Sequence, residues 1–235
     1  MMKYIDSRKM GRGRHGWLDS HFHFSFAEYY NPDNISFGVL RVLNDDIVQA
    51  GEGFGTHPHR DMEIISYVIK GELSHRDSMG NTRTLTKGQS QYMSAGTGVT
   101  HSEYNHGKSE LRFAQIWILP DKKGYEPNYG DYLFKWEDRF DKWLPIATSY
   151  ENTSNNAPIK IHADINMYAA ILSKGKQAGF QVKSGRQAYL VLLEGEATVN
   201  GIRMNMRDAL EIVQEDLIIS AETEAHLLVI EMARS

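Results

Sequence analysis

Residues 53–63 read GFGTHPHRDME and place His57 and His59 on either side of a proline. In a β-strand the side chains at positions i and i+2 share one face, so both imidazoles can point to the same side. Pro58 has no backbone N–H, which suits the edge or the start of a strand. Glu63 has the parity of the two histidines and would share their face if the strand ran unbroken.

A second pair of this kind, His101 and Glu103, follows the glycine-rich stretch SAGTGV at residues 94–99. Two such pairs on two strands can bring three imidazoles and one carboxylate to a single point. That donor set suits a divalent transition metal and leaves coordination positions for water or substrate. By parity alone, the carboxylate can come from Glu63 or from Glu103.

Composition narrows the kind of site. The chain has 235 residues, 41% hydrophobic and 24% charged, which is enough apolar material for sizeable cores. It has no cysteine, so disulfides and thiolate ligands are excluded.

The net charge of −4 does not favour direct binding to nucleic acid. A small basic cluster is interpreted as solvated surface: Arg8, Lys9, Arg12 and Arg14.

The apolar runs are short. None reaches the ~18 residues of a membrane span, and the N-terminus lacks the apolar run of a signal peptide, so the sequence predicts a cytoplasmic protein without membrane contact.

Most of the sequence consists of short apolar stretches separated by glycine-bearing turns, a pattern typical of an all-β sandwich or barrel. The predicted strands are Phe37–Val42, Glu63–Ile69, Leu111–Leu119, Tyr168–Leu172, Tyr189–Leu193 and His226–Glu231. A single short helix is predicted over Asp138–Leu144.

Residues 64–88 and 187–208 form a weak internal repeat. Each contains an apolar strand, a Gly-Glu turn (Gly71 and Gly195), a second strand and a further glycine turn. The repeat predicts two copies of one β-barrel module. We expect a metal-binding domain at residues 1–130, a connecting segment at 131–156 and a second domain at 157–235 that lacks metal ligands.

The stretch GFGTHPHRDME at 53–63, followed by Gly71, resembles the first sequence motif of the cupins. Where the chain departs from the cupin motifs, it resembles the pirin family. Seven residues rather than six separate Glu63 from Gly71, and the second motif has Ala95-Gly96-Thr97-Gly98 where many cupins have proline. The stretches with pirin-like sequence are HPHRDMEI at 57–64, HRDSMGN at 75–81, QYMSAGTGVTHSE at 91–103, AQIWILP at 114–120 and WLDSHFHFSFAEYY at 17–30. The resemblance is close over about residues 8–130 and loose over 160–235.

This resemblance implies two cupin-type antiparallel barrels (jelly rolls) in tandem, with one metal ion in the first. The ligands that it implies are His57, His59, His101 and Glu103, and Glu63 then has a structural role or belongs to the surroundings of the site. The metal is expected to be Fe²⁺, with Zn, Ni, Cu, Mn and Co as alternatives. Two further residues, His75 and Asp77, are candidates for the surroundings of the site. We interpret the remaining histidines of this half as packing or surface residues: His21, His23 and His106.

Because pirin-like bacterial proteins include quercetinases, the resemblance also implies a metal-dependent quercetin 2,3-dioxygenase. Its substrates would be a flavonol or related phenol, bound through the 3-hydroxyl group, and O₂, with Glu103 as the base. Apolar side chains should line the pocket, and the candidates are Phe22, Phe24, Phe54 and Met93. The alternative is a pirin-like regulatory protein that binds metal and a protein partner, such as a transcription factor or a metabolic enzyme, without turnover.

Overall fold

The structure is a computed structural model and describes residues 1–234, which are built almost entirely of β-strands. No helix in this part of the chain has the length and hydropathy of a membrane span. The first twelve strands are β1 (Met2–Ile5), β2 (Gly11–Arg14), β3 (Leu18–Phe22), β4 (Leu40–Val48), β5 (Gly53–His59), β6 (Glu63–Lys70), β7 (Glu72–Asp77), β8 (Thr82–Thr86), β9 (Ser90–Ser94), β10 (Val99–Tyr104), β11 (Leu111–Ile118) and β12 (Asn128–Tyr132). The remaining ten are β13 (Leu144–Ser149), β14 (Ile159–Ile161), β15 (Ile165–Leu172), β16 (Gln177–Phe180), β17 (Arg186–Glu194), β18 (Glu196–Val199), β19 (Ile202–Asn205), β20 (Ala209–Val213), β21 (Leu217–Ala221) and β22 (Ala225–Ala233). Two short 3₁₀ helices lie at Ser7–Lys9 and Trp136–Arg139.

The first unit comprises Gly11–Trp136 together with Ile161–Ala163. It contains a seven-stranded sheet in the order β12-β9-β6-β11-β4-β3-β2 and a four-stranded sheet in the order β5-β10-β7-β8. Apolar side chains from both sheets form a common core, so the two sheets pack face to face. The core residues are Val48, Val68, Leu73, Leu85, Leu111 and Phe113.

The second unit comprises Met1–Met10, Glu137–Lys160 and the chain from Asp164 onward. Its sheets have the orders β1-β20-β17-β22-β15-β13-β14 and β16-β21-β18-β19. Position by position, β17, β22 and β15 occupy the places that β6, β11 and β4 hold in the first unit. The internal repeat therefore corresponds to two copies of one module, which confirms the all-β, tandem cupin fold. In each copy the strands form two open sheets rather than one closed barrel.

This division differs from the predicted ranges at the N-terminus. Met1–Met10 group with the second unit because β1 pairs antiparallel with β20, so that Met2 lies opposite Ile212. The predicted helix over Asp138–Leu144 is wrong. The helical turn ends at Arg139, Asp141 has a positive φ of 51°, and β13 begins at Leu144.

The strands predicted from apolar runs are confirmed in position, with different ends. The largest shift concerns Phe37–Val42, which in the structure begins at Leu40 and continues to Val48. Its second half, Asn44-Asp45-Asp46, is polar in sequence yet buried in the sheet. Asn44 and Asp46 of this polar stretch line the cavity of the candidate site, as described below.

Candidate metal centre

Three imidazoles converge where β5 and β10 pair. The register places His101 directly opposite His57, and His59 follows two residues later on β5. The Nε2 atom of His101 lies 3.1 Å from Nε2 of His57 and 3.0 Å from Nε2 of His59. The i, i+2 spacing on β5 and the antiparallel register together explain why three Nε2 atoms meet at one point.

The protonation of these rings suits a metal ion. Burial, reinforced by the neighbouring histidines, lowers the pKa of His59 and of His101 to about 3. Both rings are therefore neutral at neutral pH, the form that ligates metals. The Nδ1–H group of His57 donates to the backbone carbonyl of Gly55 at 2.7 Å, which leaves its Nε2 lone pair free for a ligand role. The residues fit a divalent transition metal.

Glu103 lies two residues beyond His101, past a register shift at which β5 has one extra residue. Its Oε1 accepts hydrogen bonds from Ser66 Oγ at 2.9 Å and Gln91 Nε2 at 2.8 Å, and its Oε2 accepts one from Gln115 Nε2 at 2.6 Å. In this geometry Glu103 groups with His75 and His101, whereas His57, His59 and His101 form a second group. His101 belongs to both groups and joins them.

Glu63 lies away from the histidines, although its sequence parity matches theirs. Strand β5 ends at His59, Asp61 has a positive φ of 49°, and β6 begins at Glu63. The break resets the alternation, because Ser66 faces Glu103 and Glu63, three residues earlier, faces the other side of the sheet. There its Oε1 accepts from Ser94 Oγ at 2.7 Å and contacts Nδ1 of His162 at 3.2 Å.

His75 and Asp77 are buried behind His101. The Nδ1 atoms of His75 and His101 lie 3.5 Å apart, and Nε2 of His75 lies 3.1 Å from Oδ2 of Asp77. The ring of Tyr129 stacks on His75 at 4.5 Å between centroids. These contacts hold the imidazole of His101 from the side opposite its Nε2 atom.

A cavity of about 410 Å³ opens beside His57 and Glu103 and is lined mainly by apolar atoms. Of the predicted pocket residues, Phe22 and Phe54 line it, whereas Phe24 and Met93 are buried elsewhere and do not. The remaining lining residues are His15, Trp17, Leu18, Ser20, Phe26, Ala27, Asn44, Asp46, Gln115 and Trp117. Sequence analysis overlooked the tryptophans and Phe26, whose only signal was their aromatic character.

The aromatic walls of the cavity hold one another in place. Trp17 contacts Phe54 edge to face at 5.2 Å, and Trp117 contacts Phe26 in the same way at 5.4 Å. The ring of His59 lies 4.9 Å from Trp117, which ties this wall to the imidazole cluster. Such edge-to-face pairs fix the orientation of the aromatic side chains that line the cavity, and these can pack against an aromatic ligand.

One wall, contributed by β4, is polar. Burial raises the pKa of Asp46 to about 7, and the negative charges of Asp45 and Glu103 act in the same direction. A hydrogen bond from the hydroxyl of Ser20 lowers this pKa and offsets part of the shift. Asp45 itself forms an ion pair with Arg112.

The second unit lacks the corresponding ligands. Among residues 1–234, groups of three metal-ligating side chains occur only in the first unit. The repeat aligns Gly71 with Gly195, so Ser66 corresponds to Leu190, five residues before the glycine in each copy. Leu190 lies opposite Val229 on β22, and Val229 lies opposite Tyr168 on β15. Apolar and aromatic side chains thus occupy the level at which the first unit holds Glu103.

Comparison with known protein families gives two matches. The family described as pirin matches residues 5–118, and the family described as quercetinase C-terminal cupin domain matches residues 149–232. The two matches fall on the two halves of the chain that the internal repeat distinguishes.

Individual proteins are similar over almost the whole length. A protein of Escherichia coli K-12 named quercetin 2,3-dioxygenase is 40% identical over 228 residues, which cover 96% of each chain. A pirin-like protein of Caulobacter vibrioides is 40% identical over 226 residues, 96% of this chain and 97% of that one. The crystal structure of the bacterial pirin YhhW from Escherichia coli in complex with nickel(II) superposes on this chain with a TM-score of 0.92 over 100% of both chains. The two sequences are 36% identical.

Proposed function

The chain belongs to the pirin family, and from that premise we propose that it is a metal-dependent dioxygenase of the quercetin 2,3-dioxygenase type. One observation carries the proposal: an aromatic cavity of about 410 Å³ is lined by Glu103 and by His57, one of the three converging imidazoles. That volume lies within the ~300–1,000 Å³ usual for small-molecule sites. The name of the Escherichia coli relative supports the choice of a flavonol as substrate.

We propose His57, His59, His101 and Glu103 as the metal ligands. The position of Glu63 on the opposite face of the sheet supports the choice of Glu103. A divalent transition metal at this point supplies Lewis acidity and, if it is redox-active, a route for electrons to O₂. We propose Fe²⁺ as the native metal; the nickel complex of YhhW shows that a relative accepts another divalent ion.

The residues of the chain have separate tasks in this proposal. Glu103 accepts the proton of the flavonol 3-hydroxyl group, and hydrogen bonds from Ser66, Gln91 and Gln115 fix the orientation of its carboxylate. The aromatic walls around Trp17 and Phe54 hold the planar rings and exclude water.

The test uses protein loaded with Fe²⁺ under anaerobic conditions and then mixed with quercetin and O₂. We expect quercetin and O₂ to be consumed together by the wild type, and consumption to fall by about 100-fold or more in His57→Ala and Glu103→Gln. Metal content, measured on the same samples, should fall in both variants because each removes a proposed ligand.

Glu63→Gln is the matched control, since it makes the same chemical change at the other glutamate. It should keep its metal and its turnover. Loss of metal in Glu63→Gln but not in Glu103→Gln would overturn the ligand assignment. Full metal occupancy without turnover of quercetin or related phenols would overturn the enzymatic proposal and favour a regulatory protein that binds a partner.

A further inference from the structure

The β4 wall of the cavity contains polar groups that the protein itself leaves unsatisfied. Asn44 is 2% exposed and lines the cavity, yet its Oδ1 has no hydrogen-bond partner among residues 1–234. Buried polar groups are almost always hydrogen-bonded, so an exception at a cavity wall calls for an explanation. The indole Nε1 of Trp117, on the neighbouring strand β11, is buried and without a partner in the same way.

Asp46 extends this polar surface by one step along β4. It is 3% exposed, lines the same cavity, and the Ser20 hydroxyl is its one side-chain partner within the described residues. Because Asn44 and Asp46 are two residues apart on a strand, both face the cavity.

The sheet register places these groups beside the catalytic carboxylate. Asn44 lies opposite Gln115, which lies opposite Ser66, and both Gln115 and Ser66 donate to Glu103. Asn44, Asp46 and Trp117 line the same cavity as Glu103, so a molecule that fills this cavity contacts the polar wall.

Resting on the proposed function, we propose that Asn44, Asp46 and Trp117 recognise the ring hydroxyl groups of a polyhydroxylated flavonol. The chemistry of the three groups selects hydroxyls. An indole N–H only donates, the carboxyl group of Asp46 accepts and can also donate when it is protonated, and an amide does both. A hydroxyl group can satisfy each of them. An unsubstituted ring would leave Asn44 Oδ1 and Trp117 Nε1 buried and unpaired, and would leave Asp46 with only its hydrogen bond from Ser20.

The test compares two ligands, quercetin and 3-hydroxyflavone, the second of which keeps only the hydroxyl group expected at the metal. Dissociation constants are measured anaerobically with Fe²⁺-loaded protein, so that no turnover occurs. We expect the wild type to prefer quercetin by on the order of 10- to 100-fold. In Asn44→Leu, which keeps the side-chain size, this preference should fall to within about threefold, because quercetin binds more weakly while 3-hydroxyflavone is unaffected.

Asp46→Leu provides a second variant, which removes both carboxyl oxygens of Asp46 and should also lower the preference. Ser90→Ala is the control, because Ser90 Oγ is likewise buried and unpartnered but lies outside the cavity. Metal content and thermal midpoints establish that each variant is folded.

The outcomes separate this inference from the proposed function. A wild-type preference that survives in both Asn44→Leu and Asp46→Leu, or equal weakening of both ligands, would overturn the inference alone. Wild-type protein that binds and discriminates the two ligands but never consumes quercetin would count against the proposed reaction and leave the recognition surface standing. A wild type that binds neither ligand would overturn both.

Discussion

Asp46 is a carboxyl group that the fold makes costly to ionise. It is buried, it has Asp45 and Glu103 as acidic neighbours, and the hydrogen bond from Ser20 only partly compensates. The pKa of Asp46 is raised to about 7 from its usual 3.8. Between these two values the folded chain keeps a proton that the unfolded chain has lost. Stability must therefore decrease as pH rises through this window and level off above pH 7.

Asp46→Asn should remove this pH dependence, because asparagine is neutral throughout and its Oδ1 can still accept from Ser20. In metal-free protein we expect similar stability for variant and wild type near pH 4. The variant should gain an advantage that grows to about 4 kcal/mol near pH 8, the upper value from 1.36 kcal/mol per unit of pKa. Urea denaturation at pH 4.5, 6 and 8 measures the gap. A difference that stays constant with pH, as we expect for Ser90→Ala, would show that Asp46 is already ionised in the folded chain.

At the scale of elements, the strand break between β5 and β6 separates Glu63 from the three histidines, which supports our proposal of Glu103 as the carboxylate ligand. Alternation along an unbroken strand would put Glu63 with His57 and His59. The break at residues 60–62 could not be read from composition, since Arg60-Asp61-Met62 contains neither glycine nor proline. Asp61 adopts the left-handed conformation instead, with its N–H donating to the carbonyl of Gly96. The three histidines were predictable because each i, i+2 pair lies within one strand.

The cavity walls were less accessible to sequence reasoning. Aromatic residues suit a core and a pocket equally, and only the packing of strands distant in sequence separates the buried Phe24 from the lining residue Phe22. The polar run Asn44-Asp45-Asp46 gave no strand signal, because burial of polar residues in a sheet reflects a site rather than a propensity.

The glycine turns that defined the internal repeat have a packing reason, which an alanine pair can test. Gly195 and Gly201 have φ of 86° and 84°. Alanine at either position must adopt the left-handed conformation, which reduces the free energy of unfolding by about 1 kcal/mol or more. At Gly195 an added Cβ would also meet the backbone carbonyl of Glu224, whereas at Gly201 nothing lies within 4 Å. We expect Gly195→Ala to lose on the order of 3 kcal/mol in the free energy of unfolding and Gly201→Ala about 1. Equal losses in urea titrations would mean that the contact with Glu224 relaxes at no cost.

At the scale of the whole molecule, the two copies of the module differ in whether they contain side chains that can ligate a metal. Strands β5 and β10 carry His57, His59, His101 and Glu103, whereas their counterparts β16 and β21 carry neither histidine nor glutamate. At the level that corresponds to Glu103, the second copy has the buried apolar side chains Leu190 and Val229 instead. The first copy keeps an open cavity and unsatisfied polar groups, and both reduce its stability in the absence of ligands.

Metal binding should therefore stabilise the chain with a stoichiometry of one ion. An ion bound only by the folded state adds about 4 kcal/mol at a free concentration 1,000 times its Kd. We expect added Fe²⁺ under anaerobic conditions to raise the thermal midpoint of the wild type and of His106→Ala, because His106 is an exposed ring stacked on Tyr104. His101→Ala removes the ring shared by both groups of ligands, so neither a bound equivalent nor a rise in midpoint should remain. Two equivalents in the wild type, or stabilisation that persists in His101→Ala, would place a metal somewhere other than the β5–β10 pair.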